Sequence, residues 1–301
     1  MYDLVDVSQL NSIVSEEDVN QHIFELYTVC SPPSSSDLGF EDRTQNEIEV
    51  YLEKSDITLR VRQSPSELSS KTRCSSTGFV CWKTALLVTD WIYGSPLCPF
   101  NAISKKGGDL ELLELGSGIG GVSAAVLGPL VRRYICSDQK HVLKLMKENI
   151  LANIPSSKFD SITLLDLSLE NKKGSFGARI YMHKRRPVIE CIEYDWEFND
   201  RGFDNYREVT EKGRPDLILS FDTIYNTYLI SPFVSTLKSL LRSDNGALIG
   251  IQLRDESVVS AFIDQVLDSN LYLFSIPQSM LTEKLKRGYV VYYINAKGSS
   301  P

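Results

Sequence analysis

DLELLELGSGIGG, residues 109–121, is the stretch on which the fold turns. Its first half is a short apolar run of strand length, and it breaks into four glycines within six residues. GVSAAVLGPLV (121–131) then continues as a helix. A strand that feeds a helix through a glycine turn opens a unit of alternating strands and helices.

The chain downstream repeats that alternation. RRYICSD (132–138) reads as a strand, and QKHVLKLMKENILAN (139–153) as a helix with Val142, Met146 and Ile150 on one stripe. RPVIECIEYDW (186–196) and RPDLILSFD (214–222) are strands, SPFVSTLKSLLR (231–242) a helix, and GALIGIQLR (246–254) a strand. ESVVSAFIDQVLDS (256–269) is a helix, and LYLFSI and YVVYYIN close as strands. The pattern predicts an α/β fold, doubly wound, with a mostly parallel sheet covered on both faces.

Upstream the character differs. EEDVNQHIFELYTV (16–29) predicts an amphipathic helix with Val19, Ile23, Phe24 and Tyr27 on one face. SPPSSSDLG (31–39) is a linker by composition, and EIEVYLEKSDITLRVRQ (47–63) has the alternation of a hairpin. SELSSKTRCSSTG is a polar loop, and FVCWKTALLVTDWIYG (79–94) an apolar helix. The expected division is an N-terminal extension, 1–75, and a main domain, 76–301. An insertion at 153–187 breaks the alternation and reads as an added hairpin.

The chain has 301 residues, 42% hydrophobic and 24% charged, which is an ordinary globular composition. No run approaches the ~18 apolar residues that a membrane span needs. The start, MYDLVDVSQL, lacks the features of a secretory signal, so the expected compartment is the cytoplasm, with the nucleus left open. Six scattered cysteines read as reduced thiols, and histidines at 22, 141 and 183 are too dispersed to predict a zinc site. A net charge of -7 disfavours direct nucleic-acid binding and fits a basic protein partner. HKRR (183–186) reads as a solvated loop. A monomer is expected.

Ligands on a parallel sheet bind beyond the carboxyl ends of the strands. Gly116, Gly118 and Gly121 follow the first strand, where glycine lets the backbone approach a ligand closely. Asp138 ends the second strand and can accept from a ribose diol or cap the helix that follows. These features fit NAD and S-adenosylmethionine alike. Glu114, two residues before the glycines, suits a cofactor bearing an amino group better than a pyrophosphate. Asp195 and Trp196 place an acceptor and an aromatic face at the third strand end. The only Tyr-x-x-x-Lys, Tyr293 and Lys297, lies in the tail, the wrong end of the chain for a hydride-transfer proton donor. In PDLILSFDTIYN (215–226) an apolar strand ends in Asp222, Tyr225 and Asn226, an acid and a phenol three residues apart facing the expected cofactor.

ELGSGIGG, SD, DW and FDTIYN, in that order, resemble the class I, seven-strand S-adenosylmethionine methyltransferases, and among them the protein-lysine methyltransferases with an Asp-x-x-Tyr motif. STGFVCWKT (76–84), SDQK, YDW and FDTIYNTYLISPF resemble the fungal ribosomal lysine methyltransferases more narrowly, over most of 75–295. The resemblance implies a seven-stranded Rossmann-like sheet, S-adenosyl-L-methionine as cofactor and a large-subunit ribosomal protein as substrate. It implies that Trp82, Gly116, Ser117 and Gly118 lie by the methionine end of the cofactor. Asp138 would hold the ribose and Trp196 the adenine, with Phe221 in contact. Asp222 and Tyr225 would meet the target lysine, Asp222 as an orienter of the incoming group. Phe221 stands where many relatives have Gly or Ala, which narrows the pocket. Trp82 on residue type alone reads as core, as does Trp91. Other readings open at this point are a methyltransferase acting on a translation factor, another non-ribosomal protein, a small molecule or nucleic acid; a non-catalytic module; and an NAD-dependent oxidoreductase.

Overall fold

Leu112, Leu113, Ile135, Ile218, Leu219, Leu248 and Ile249 are fully buried, and their alternation sends neighbours to opposite faces of one sheet. The computed structural model describes residues 4–31, 39–68, 77–154, 162–165, 177–182 and 187–297. Cys74 and the HKRR cluster lie outside the described residues, as does most of the 31–39 linker. The strands are β1 (Asn11–Ile13), β2 (Glu47–Leu52), β3 (Ile57–Arg62), β4 (Glu111–Leu115), β5 (Arg133–Asp138), β6 (Ile162–Leu165), β7 (Gly177–Met182), β8 (Val188–Glu193), β9 (Leu217–Phe221), β10 (Gly246–Gln252), β11 (Leu271–Ser275) and β12 (Tyr289–Ala296). The helices are α1 (Glu16–Thr28), α2 (Pro65–Leu68), α3 (Lys83–Gly94), α4 (Ala102–Lys106), α5 (Val122–Leu127), α6 (Leu143–Asn153), α7 (Asn199–Val209), α8 (Thr227–Leu240) and α9 (Glu256–Asp268).

The main sheet runs β1-β11-β12-β10-β9-β4-β5-β8-β7-β6, and its central five strands, β10 to β8, are parallel. The parallel part of the sheet starts at β4, moves outward through β5 and β8, then returns to β9 on the other side of β4. That reversal is the switch point, and it opens a crevice beyond the ends of β4 and β9. The expected seven strands are β4, β5 and β8 to β12. Among the described residues the sheet has ten, because β1 adds to one edge and the antiparallel pair β6 and β7 to the other. Helices α3, α5 and α6 and the β2–β3 hairpin cover one face, and α1, α7, α8 and α9 the other.

The N-terminal extension is built into this sheet. β1 pairs antiparallel with β11, Ser12 opposite Phe274, and α1 packs on α9. Ser15 and Asp18 cap α1 reciprocally: the Ser15 hydroxyl accepts from Asp18 N at 3.1 Å, and the Asp18 carboxylate accepts from Ser15 N at 2.9 Å. The buried stripe of α1 is Val19, Ile23 and Leu26, whereas Phe24 is 67% exposed and Tyr27 half-buried. The face is rotated from the one the sequence predicts, because a spacing of four then three residues keeps 19, 23 and 26 in line. The hairpin is tied to α6 by side-chain amides. Asn149 and Asn153 accept from Arg62 N and Arg60 N and donate back to the same residues' carbonyls.

Candidate active site

At the end of β4 the backbone turns left-handed, with φ of +72° at Gly116 and +59° at Gly118. A Cβ on Gly116 would come within 2.6 Å of Thr223 Cγ2 and 3.1 Å of Trp196 Cζ2, so the glycine lets those two side chains close in. A Cβ on Gly118 would meet nothing nearer than Gly78 O at 3.7 Å. Gly116 N and Ser117 N both donate to Ser137 O, and Ile119 N donates to Gly78 O at 2.9 Å, which pins the turn between β5 and the segment before α3. Asp138 Oδ2 accepts from Gly118 N at 2.8 Å and Oδ1 from Gln139 N at 2.7 Å. It braces the turn instead of capping α6, which begins five residues later. Burial raises the Asp138 carboxyl above its ordinary range, and those two N–H donors pull the other way.

These elements surround a cavity of about 450 Å³. Trp82, Gly116, Gly118, Asp138, Trp196, Phe221, Asp222 and Tyr225 all line it. Trp196 packs edge-on against Phe233, with ring centroids 5.0 Å apart, and its buried Nε1 has no hydrogen-bond acceptor among the described residues. Trp82 stands at the cap of α3 and donates from Nε1 to Thr77 O at 2.9 Å, with Phe40 against its ring at 4.5 Å. Trp91, in contrast, is core, fully buried and donating to Met280 O. The Tyr225 hydroxyl lies 2.8 Å from Thr77 Oγ1. Asp222 adopts φ +60°, rare for a residue with a side chain, and its carboxylate is held by Arg254 at 2.8 and 2.5 Å.

Four residues singled out from the sequence are not brought to the cavity: Gly121 packs against Ile150 of α6, Asn226 caps α8, and Glu114 and Ser117 turn elsewhere. Glu114 points to the face covered by α5, where its carboxylate accepts from Ser123 Oγ at 3.0 Å and from the Tyr134 hydroxyl at 2.9 Å. Alternation along β4 puts it on the side of Leu112, away from the strand tip, and burial raises its carboxyl to about 7. Ser117 turns toward β5, its hydroxyl accepting from Ser137 N at 3.2 Å. Sequence reasoning in turn missed Thr77, Gly78, Gln139 and Thr223, which also line the cavity. Thr77 and Gly78 sit in the quoted STG triplet, and Thr223 inside Asp-x-x-Tyr, so both motifs carried the signal. Arg254 had no signal, since it reaches Asp222 from the neighbouring strand's end, 32 residues away.

A lysine methyltransferase family model matches residues 63–176. The ribosomal lysine N-methyltransferase 5 of Vanderwaltozyma polyspora is 31% identical, over 89% of this chain and 95% of its own. The chain belongs to the lysine methyltransferase family. The enzymes of the same name in Lachancea thermotolerans and Saccharomyces cerevisiae (strain AWRI796) are 27% and 26% identical, over 95% and 93% of this chain and 98% of their own. Among solved structures, Aeropyrum pernix fibrillarin matches 86% of this chain and 98% of its own at 14% identity, with a TM-score of 0.42, too low to carry inference between them.

This lysine methyltransferase uses S-adenosylmethionine, and the cavity fits that molecule. Its volume lies in the range of small-molecule sites. The unpartnered Trp196 Nε1 offers a donor, the open face of Gly118 offers bare backbone, and each Asp138 oxygen keeps a second lone pair. Among the described residues no group of three His, Cys, Asp or Glu could hold a metal ion, and no helix is long and apolar enough to cross a membrane.

Proposed function

We propose that the enzyme methylates a lysine of a large-subunit ribosomal protein, with Asp222 and Tyr225 at the acceptor end of the cavity and Trp82, Gly116, Gly118, Asp138, Trp196 and Phe221 around the cofactor. The observation that carries this is the gathering of those eight residues, from five separate segments, around one cavity. The names of the relatives support the ribosomal substrate.

Bound S-adenosylmethionine supplies an electrophilic methyl group on a sulfonium. The protein's work is then alignment, since a direct displacement needs the amine ~3–3.5 Å from carbon and in line. Asp138 and the glycine turn position the ribose side, and Trp196 the base. Phe221, 5% exposed, narrows the path toward Asp222. The Tyr225 hydroxyl, tethered to Thr77, offers the lysine nitrogen a hydrogen-bonding edge. Asp222 is engaged by Arg254, so it orients and does not serve as a free base. A net charge of -7 supports a basic protein partner, and we read the chain as a cytoplasmic monomer without direct nucleic-acid contacts.

The test is transfer from radiolabelled S-adenosylmethionine to large-subunit ribosomal proteins of cells lacking the enzyme, with mass spectrometry of the labelled band. Methyl-lysine on one ribosomal protein, lost with Asp222→Ala, is the expected result. Label confined to small molecules or to RNA contradicts the reading.

A further inference from the structure

Asp222 raises a difficulty for lysine chemistry. A free carboxylate beside the acceptor favours the ammonium, which carries no lone pair to attack carbon. In this protein the carboxylate is not free. Its side chain is fully shielded, and Arg254 Nη1 donates to Oδ1 at 2.8 Å and Nη2 to Oδ2 at 2.5 Å. This paired, two-point geometry fixes both groups.

The pair is itself held from three directions. Arg254 Nη2 also donates to Gln252 Oε1 at 2.8 Å, and Gln252 N points at Asp222 Oδ1 at 3.5 Å. The guanidinium lies over the Trp82 ring, 5.1 Å from its centroid. Behind it runs Gly39, at φ +89°, where an added Cβ would fall 1.6 Å from Gln252 Oε1 and 2.7 Å from Arg254 Nη2. Gly39 is anchored there by its carbonyl, which accepts from Lys83 N at 2.9 Å. The N-terminal extension thereby forms the back wall of the acceptor site.

We infer that Arg254 is a positioning residue for methyl transfer: it holds Asp222 as a neutral pair, so that an acceptor lysine is oriented by the site without being locked in its charged form. The inference rests on the lysine-acceptor reading above. Around the cavity the other ionisable groups are Asp138, Lys140 and His141 at and beyond the end of β5, Glu193, Tyr194, Asp195 and Glu197 at and beyond the end of β8, and Tyr225 beyond β9. Asp255 and Glu256 follow Arg254 at the start of α9, and the Tyr27 hydroxyl of α1 faces all three. All of them stay in place when Arg254 alone is changed, so a change in pH dependence reports on the pair.

The experiment compares wild type, Arg254→Met, Arg254→Lys and Gly39→Ala from pH 6.5 to 10. All are assayed on large-subunit ribosomal proteins from cells lacking the enzyme, and S-adenosylmethionine affinity is measured by calorimetry. An uncompensated carboxylate raises a neighbouring ammonium's pKa by about one unit or more. The Arg254→Met rate is therefore expected to fall about tenfold relative to wild type near pH 7 and to recover toward pH 10, with cofactor affinity retained. Arg254→Lys keeps a profile close to wild type, and Gly39→Ala shifts in the same direction as Arg254→Met. A rate reduced by one factor at every pH, or loss of cofactor binding, makes Arg254 a strut under Trp82 and overturns the inference alone. Wild-type enzyme that forms no methyl-lysine overturns the acceptor reading and this inference together.

Discussion

The Tyr225 hydroxyl and the Thr77 hydroxyl lie 2.8 Å apart, joined across 148 residues of sequence. One belongs to the loop after β9 and the other to the segment before α3, and the cavity lies between their backbones. Removing either hydroxyl breaks the bond between them, worth about 0.5–1.5 kcal/mol. Thr77→Ala and Tyr225→Phe should therefore each destabilise the protein, and the double variant should cost no more than the larger single. Urea unfolding of the four proteins checks this, and losses that add in full would show that the hydroxyls act separately.

Glu114 predicts an unusual pH dependence. Burial lifts its carboxyl to about 7 from an ordinary value of 4.5. Because the folded value is the higher one, the protonated acid is favoured in the fold. Its stabilising effect is full below about pH 4.5, declines as pH rises toward 7, and is lost above that. Relative to Glu114→Gln, wild type should lose on the order of 2 kcal/mol between pH 5 and pH 8. Cofactor affinity should change little, since the residue lies outside the cavity lining. Denaturant titrations at the two pH values measure the first, and an unchanged stability gap would contradict it.

Neighbouring residues in α1 should behave oppositely. Ile23 is buried against the sheet side and Phe24 is 67% exposed. Ile23→Ala should cost about 2–4 kcal/mol, and Phe24→Ala less than about 0.5 kcal/mol. Equal losses in urea would mean that α1 packs by another face. Since β1 and α1 join the sheet and its cover, deleting them should lower stability as well as transfer.

The central fold was legible because its signals are local. DLELLELGSGIGG holds strand, turn and helix start within thirteen residues, and β9 announces itself by an apolar run that only Ser220 interrupts. Asp138 and Asp222 were legible as strand-end acids for the same reason. What stayed hidden depends on contacts distant in sequence. β1 is three residues long and has meaning only as β11's partner. Arg254 becomes visible only once β10 is seen to lie beside β9. Glu114 misled because its spacing from the glycines was read without the two-residue alternation of β4, which turns it under α5.

One cavity, at the ends of β4, β5, β8 and β9, should hold the cofactor and present it to a lysine beside Asp222. Co-crystallisation with S-adenosylhomocysteine tests it most directly. Ligand density is expected in that cavity, with ribose hydroxyls on Asp138 and the purine against Trp196. Ligand bound elsewhere, or a cavity that stays closed at saturating ligand while the enzyme turns over, would contradict it.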